Sequence, residues 1–234
     1  MALTIYRQTR EVRGVLFDMD GVILDTEKLY SRFWQEAAQA LGYPMTRVQA
    51  LEMHSLNREA GEQKLQSFFG PDIPYAQVRQ ERIRRMDAYI DDHGVEPKPG
   101  IYTLLDALEA SHIPTAIATS SPLERTERYL APLGLLHRFT KICSGYQVPR
   151  GKPAPDIYQF AAASLSLPPE SCLALEDSPA GILSAFRAGC MSVLVPDLDP
   201  VSPELIPHLY ACADSLADVA ELIKNRYSSN ASRA

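Results

Sequence analysis

Asp18 and Asp20 stand one residue apart in the stretch Val15-Leu16-Phe17-Asp18-Met19-Asp20-Gly21-Val22. Two ionised carboxylates this close repel one another unless something cationic or a shared proton sits between them. The pair therefore asks for a metal, a bound proton, or both. Gly21 lets the backbone turn sharply away, so the pair is presented rather than buried. Three further groups along the chain are polar where a core would not need polarity. They are Thr119-Ser120-Ser121, Gly151-Lys152-Pro153-Ala154-Pro155-Asp156, and Glu176-Asp177 just before Ser178-Pro179-Ala180-Gly181. Each has a plain structural explanation: Thr119 as a helix cap, Lys152 as a solvated charge, Glu176-Asp177 as a turn. Taken together they supply acidic ligands for a hard cation, a nucleophile, a hydroxyl donor and a fixed positive charge. Those are the parts needed for phosphoryl transfer through a covalent aspartate.

The elements that must position these groups follow from the hydrophobic pattern. The apolar run Val12 to Phe17 reads as a buried strand that delivers Asp18 and Asp20 at its carboxyl end. From Gly100 onward short apolar strands alternate with helices. Helix Ile101 to Ala110 leads to strand Pro114 to Thr119, and helix Leu123 to Leu133 to strand Lys141 to Ser144. Helix Asp156 to Leu165 leads to strand Cys172 to Asp177, and helix Ala180 to Ala188 to strand Met191 to Val195. A short strand near Tyr210 to Ala213 and helix Leu216 to Lys224 follow, and the polar tail from Ser228 is expected to fray. Strands that are apolar throughout and separated by helices predict an α/β fold, a doubly wound, Rossmann-like parallel sheet covered on both faces. In such a sheet ligands bind above the carboxyl ends of the strands, where all four polar groups fall.

Between Asp25 and Gly94 the pattern is helical only. Asp25 or Thr26 is placed to cap a helix from Glu27 to Leu41 that carries Leu29, Tyr30, Phe33, Trp34, Ala37, Ala38 and Leu41 at helical spacing, and Gly42 ends it. Further helices are predicted over Arg58 to Phe69 and Tyr75 to Ile90, and Gly94-Val95-Glu96-Pro97-Lys98-Pro99-Gly100 closes the block as a stiff linker. The expected division is thus residues 1–24 with 95–234 as an α/β core domain, and 25–94 as an inserted helical bundle. Trp34 and its aromatic neighbours fit the core of that bundle better than a ligand cage.

At 234 residues the chain can hold one sizeable domain plus a smaller insertion. A net charge of -6 argues against nucleic acid or an anionic membrane as the main partner. It does not argue against a small anionic substrate, because a metal and one lysine invert the local sign. No window approaches a membrane span, and Met1 to Arg13 lacks the apolar centre of a signal peptide. Cys143, Cys172, Cys190 and Cys212 stand singly in apolar segments, without metal-ligand spacing, as expected of buried thiols in a reducing cytoplasm. A cytoplasmic monomer is the expectation.

The four polar groups, in this order, resemble the motifs of the haloacid dehalogenase superfamily of phosphatases and phosphomutases. The match runs through Asp18-Met19-Asp20-Gly21-Val22, Thr119, Lys152 and Glu176-Asp177, and the resemblance covers Val12 to about Asp197. The helical insertion is similar to the cap of the β-phosphoglucomutase-like branch. Within it, Asp25-Thr26-Glu27-Lys28-Leu29-Tyr30, His112-Ile113-Pro114, Ala118-Thr119-Ser120-Ser121, Gly151-Lys152-Pro153 and Val195-Pro196-Asp197 most resemble the pseudouridine-5′-phosphatase-like phosphatases. The resemblance implies Asp18 as nucleophile, Asp20 as general acid and then base, and Thr119, Ser120 and Ser121 around the phosphoryl group. It also implies Lys152 as the charge that keeps Asp18 and phosphate from repelling. Mg²⁺ would take oxygens from Asp18, the Asp20 carbonyl and Asp177, with Glu176 directly or through water. A dehalogenase proper would not need the second aspartate, so phosphorus rather than carbon is the expected centre of attack.

Substrate choice is expected in the helical insertion, where His54, Ser55, Asn57 and Arg58 form a polar turn before a helix. Arg58 suits a second phosphate or a sugar hydroxyl, with a plain surface arginine as the bland reading. His54 is weighed in the same way against simple solvent exposure. His93, His112, His137 and His208 have no partner at ligand spacing. The favoured activity is a Mg²⁺-dependent phosphatase of a small phosphorylated metabolite, a sugar or nucleoside monophosphate. The alternative is a β-phosphoglucomutase-like phosphomutase, which places a cap histidine where this chain has Tyr30. A catalytically silent binding relative is the third class, and the presence of every motif residue speaks against it.

Overall fold

A computed structural model describes residues 3–8, 10–54, 56, 58–196 and 201–227 of the chain. Ser55, Asn57, Asp197 and the tail from Ser228, all singled out in the sequence, lie outside the described residues. The chain divides into two compact units, one running up to Leu24 and resuming at Pro97, the other spanning Asp25–Glu96.

The larger unit is built on a seven-stranded sheet. Its strands are β1 (Leu3–Ile5), β2 (Gly14–Phe17), β3 (Thr115–Thr119), β4 (Lys141–Ser144), β5 (Cys172–Glu176), β6 (Met191–Leu194) and β7 (Ala211–Ala213). They lie in the order β1-β7-β6-β5-β2-β3-β4. All pairings are parallel except β1 against β7, which is antiparallel. Residues of β2, β3, β5 and β6 are buried along their whole length, the mark of strands covered on both faces. Helices lie on both sides of the sheet. Helix Ile101–Ala110 packs on helix Leu216–Tyr227, and helix Asp156–Ser164 on helix Pro179–Ala188.

The strand order reverses at β2. The chain runs outward from it through β3 and β4, then crosses back to β5 on its other side. Such a switch point opens a crevice at the carboxyl ends of the two central strands. Register sets what meets there. Phe17 is level with Ile117 on one side and with Leu175 on the other. Asp18 therefore leaves the sheet level with Glu176, with Thr119 one residue further along β3.

The smaller unit is helical, and no strand occurs among its described residues. It contains α1 (Glu27–Ala40), α2 (Arg47–Leu51), α3 (Arg58–Phe69) and α4 (Tyr75–His93). Trp34, Ala37, Ala38, Met45, Leu65, Tyr75 and Val78 form its core, with Trp34 stacked on Tyr75 at 5.9 Å between ring centroids. The aromatic residues are core, as their spacing predicts.

Several local readings are corrected. Thr26 precedes α1 in a helical conformation and makes no side-chain capping bond, so Thr26 is not the side-chain cap the sequence suggested. Helix α2, only five residues long, is an addition to the predicted helices, and Thr46 and Gln49 form a reciprocal capping box at its start. Strand β1 is a further addition, three residues long and largely exposed, too short to show a strand pattern. No helix among the described residues is long and apolar enough to cross a membrane. Cys143, Cys172 and Cys190 are buried free thiols and Cys212 is partly covered.

Candidate active site

The residues after β2 make a tight backbone knot. The Asp18 amide donates to the Leu175 carbonyl at 3.0 Å, tying Asp18 to β5. The amides of Ile23 and Leu24 both donate to the Met19 carbonyl, and the Gly21 amide donates to the Leu24 carbonyl at 2.8 Å. Gly21 adopts φ +80°, and a Cβ there would overlap the Asp177 carboxylate. Only glycine fits on both counts. The sharp turn the sequence predicts is thus also the space into which Asp177 folds.

Lys152 lies between the two central strands. Its ammonium donates to Asp18 Oδ1 and, at 2.6 Å, to Glu176 Oε1. Its side chain is only 8% exposed and Glu176 is fully buried, so this is a desolvated ion cluster rather than a surface bridge. Burial drives the Asp18 carboxyl well above the usual carboxylate range. Lys152 opposes that rise, while Glu176 and Asp20 add to it. Burial also pulls Lys152 down, but the Asp18 and Glu176 carboxylates outweigh it and hold the ammonium protonated.

Glu176 is clasped from three directions. Besides Lys152, the Tyr158 hydroxyl donates to Oε1 at 2.6 Å and the Ser178 hydroxyl donates to Oε2 at 3.1 Å. The same Ser178 oxygen accepts from the Gly181 amide at 3.0 Å and so caps helix Pro179–Ala188. Burial and the nearby carboxylates push the Tyr158 phenol well up, which keeps it a hydrogen donor. A Cβ on Gly181 would overlap the Glu176 carboxylate, so this glycine is needed for space rather than for backbone freedom.

On the β3 side, Thr119 is fully buried and its hydroxyl oxygen accepts from the Ser121 amide at 3.0 Å. Ser121 donates in turn to Asp20 Oδ2 at 3.2 Å, while Ser120 is exposed. Ser144, buried at the end of β4, donates to the Ser121 carbonyl at 2.7 Å and fixes this loop from behind.

The structure therefore brings Asp18, Asp20, Thr119, Ser121, Lys152, Glu176 and Asp177 together at one end of the sheet. Ser144, Tyr158 and Ser178 complete the arrangement and were not singled out in the sequence. In the helical unit His54 is not solvent-exposed, since its Nε2 lies 3.1 Å from the buried Glu27 carboxylate. Arg58 opens α3 and is exposed.

The acidic group can be tested for its fit to a hard cation. Asp18, Glu176 and Asp177 each offer an oxygen, all within 4.8 Å of one another. Hard carboxylate oxygens suit Mg²⁺, which takes one or two of them directly and completes its shell with waters and phosphate. The glycines at 21 and 181 leave the room that Asp177 and Glu176 occupy. The donor set fits the ion.

Comparison with known proteins gives the same direction. The sequence profile of the haloacid dehalogenase-like hydrolases matches residues 15–195. A probable pseudouridine-5′-phosphatase of Drosophila melanogaster is 34% identical over 220 residues, covering 89% of this chain and 92% of that protein. The β-phosphoglucomutase of Bacillus subtilis (strain 168) is 29% identical over 196 residues, covering 81% and 86% respectively. The crystal structure of a β-phosphoglucomutase from Clostridium difficile superposes with a TM-score of 0.75 at 22% identity, over 94% of this chain and 98% of that one, a likeness of fold.

Proposed function

This chain belongs to the haloacid dehalogenase-like hydrolases, and we propose that it is a Mg²⁺-dependent phosphatase of a small phosphorylated metabolite. The substrate class is a sugar or nucleoside monophosphate, and the route is an aspartyl phosphate on Asp18. The observation that carries this reading is Lys152, buried and donating to Asp18 at the switch point of the sheet. A buried ammonium there offsets the charge of an approaching phosphate and lowers the repulsion that a carboxylate nucleophile would otherwise face.

In the proposed cycle an Asp18 carboxylate oxygen attacks phosphorus in line with the ester oxygen, and the P–O bond to the leaving alkoxide breaks. Asp20 gives that alkoxide its proton. Water then attacks the phosphorus of phospho-Asp18 while Asp20 takes a proton back, releasing inorganic phosphate and restoring Asp18. The Ser121 hydroxyl on Asp20 Oδ2 holds this carboxyl in orientation. Thr119 and the amides that follow it hold a phosphoryl oxygen. Asp18, the Asp20 carbonyl and Asp177, with Glu176 directly or through water, would hold Mg²⁺, which supplies charge neutralisation at the phosphoryl oxygens.

The phosphomutase alternative shares every step up to phospho-Asp18 and differs in the hydroxyl that collects the phosphoryl group. A mutase must keep water waiting while a sugar turns over, and the branch uses a histidine for this where the chain has Tyr30. The Tyr30 ring is covered by the Arg82 guanidinium at 4.6 Å, and the position carries no imidazole. Both readings are separated by free-phosphate detection across a panel of phosphorylated sugars and nucleosides, with product analysis on glucose 1-phosphate. Phosphate released in step with ester consumption, without a bisphosphate requirement, supports the phosphatase. Glucose 6-phosphate accumulating with little free phosphate, and only with a glucose bisphosphate primer, selects the mutase. No turnover of any ester overturns both.

A further inference from the structure

Tyr158 is an aromatic residue whose polar atom enters the ion cluster, and its ring is held by the core. It lies in the first turn of helix Asp156–Ser164, is fully buried, and packs with Leu16, Ala116, Ala118 and Ala174 of the sheet. That packing fixes the ring, and with it the hydroxyl, in one place. Phenylalanine would fill the same volume. What only tyrosine adds is an uncharged donor to Glu176 Oε1 at 2.6 Å, the same oxygen that Lys152 reaches at 2.6 Å.

The charge count shows why that donor matters. Asp18 and Glu176 share the Lys152 ammonium, and Lys152 Nζ also lies 5.1 Å over the Tyr158 ring. A carboxylate oxygen that receives a second, neutral hydrogen bond draws less on the ammonium. Without the phenol, Glu176 is left with one fewer donor in a dry site and must compensate by pulling Lys152 toward itself, away from Asp18. We propose that Tyr158 is a positioning residue of this site: its hydroxyl holds Glu176, and through Glu176 it keeps Lys152 aimed at Asp18. The inference deepens the phosphatase reading and rests on it for its kinetic consequence.

The test is Tyr158→Phe assayed with p-nitrophenyl phosphate, alongside a crystal structure of the variant. A lost outer hydrogen bond of this kind costs about tenfold in activity. The expected result is kcat lower by about that factor, KM within twofold, thermal melting close to the parent, and Lys152 Nζ shifted away from Asp18 in the crystal. Replacing Tyr158 by 4-aminophenylalanine keeps an N–H donor at the same point and should restore most of kcat. It also serves if Tyr158→Phe does not accumulate folded. Unchanged kcat in Tyr158→Phe, an unmoved Lys152, or no rescue by the amino analogue overturns the inference. A parent protein inactive on every phosphate ester overturns the proposed function instead, and the position of Lys152 in the variant crystal then decides the inference alone.

Discussion

Gly181 stands where any side chain would meet the carboxylate of Glu176. In most helices a glycine-to-alanine change stabilises by up to about 1 kcal/mol. Here the Glu176 end cannot swing aside cheaply, because Lys152, Tyr158 and Ser178 all hold it. Gly181→Ala should therefore lower kcat by at least about tenfold, the usual cost of disturbing such outer contacts, and should lower the melting temperature rather than raise it. Steady-state assays and thermal unfolding of the same preparation check both. Activity within twofold of the parent would show that Glu176 has freedom the packing denies it.

Removal of divalent cation is the second expectation. Asp18, Glu176 and Asp177 offer three carboxylate oxygens to one small volume, with the Lys152 ammonium on two of them. Excess EDTA should abolish ester hydrolysis and added Mg²⁺ should restore it. Ca²⁺ should bind and inhibit, because its larger and looser coordination shell misplaces the Asp18 oxygen. Full turnover in excess chelator would contradict the assigned site.

Arg82 makes a prediction about the helical unit alone. It is 5% exposed, stacked 4.6 Å from the Tyr30 ring centroid and 5.2 Å from that of Trp34. Its Nε finds no hydrogen-bond partner among the described residues. Burying a guanidinium with an unsatisfied donor is costly, and ring stacking offsets that cost only in part. Arg82→Met keeps most of the volume and removes the charge, so the melting temperature should stay level or rise. Arg82→Ala should lower it, because it leaves a cavity. A fall of more than about 4 °C for the methionine variant, roughly 1–2 kcal/mol in a chain of this size, would mean that the stacking outweighs desolvation.

The parallel sheet was legible because its strands are buried on both faces and so read as unbroken apolar runs, from Val15 to Phe17 through Met191 to Leu194. Helix α3 could be read from its pattern end to end, and α4 runs only three residues beyond the predicted Ile90. β1 was not legible, since an edge strand of three residues carries no periodicity to detect. In the site, Asp18, Thr119, Lys152 and Glu176 could be read because, although each alone has a plain structural explanation, their combination in this order matches the parts of one chemistry. Tyr158 and Ser144 gave no such signal. A tyrosine on the apolar face of a helix is already explained by packing, and only the fold shows that its hydroxyl ends on Glu176. Ser178 hides for a related reason: as a helix cap before Pro179 it has a sufficient local role, and its second bond to Glu176 is tertiary. For His54 it is the bland alternative of solvent exposure that fails, since its side chain is buried against Glu27, a tertiary contact that a polar turn does not announce.

The central claim is that Asp18, and not Asp20, carries the phosphoryl group. The measurement is trapping during turnover: the enzyme is quenched while hydrolysing p-nitrophenyl phosphate, treated with borohydride, and the peptide holding residues 14–24 is sequenced by mass spectrometry. Borohydride reduces an acyl phosphate to an alcohol, so a phosphorylated aspartate is read as homoserine. The account predicts homoserine at position 18 and aspartate at position 20, with no conversion in Asp18→Asn, whose turnover should fall by several orders of magnitude. Conversion at Asp20, or steady turnover with neither residue converted, would contradict it.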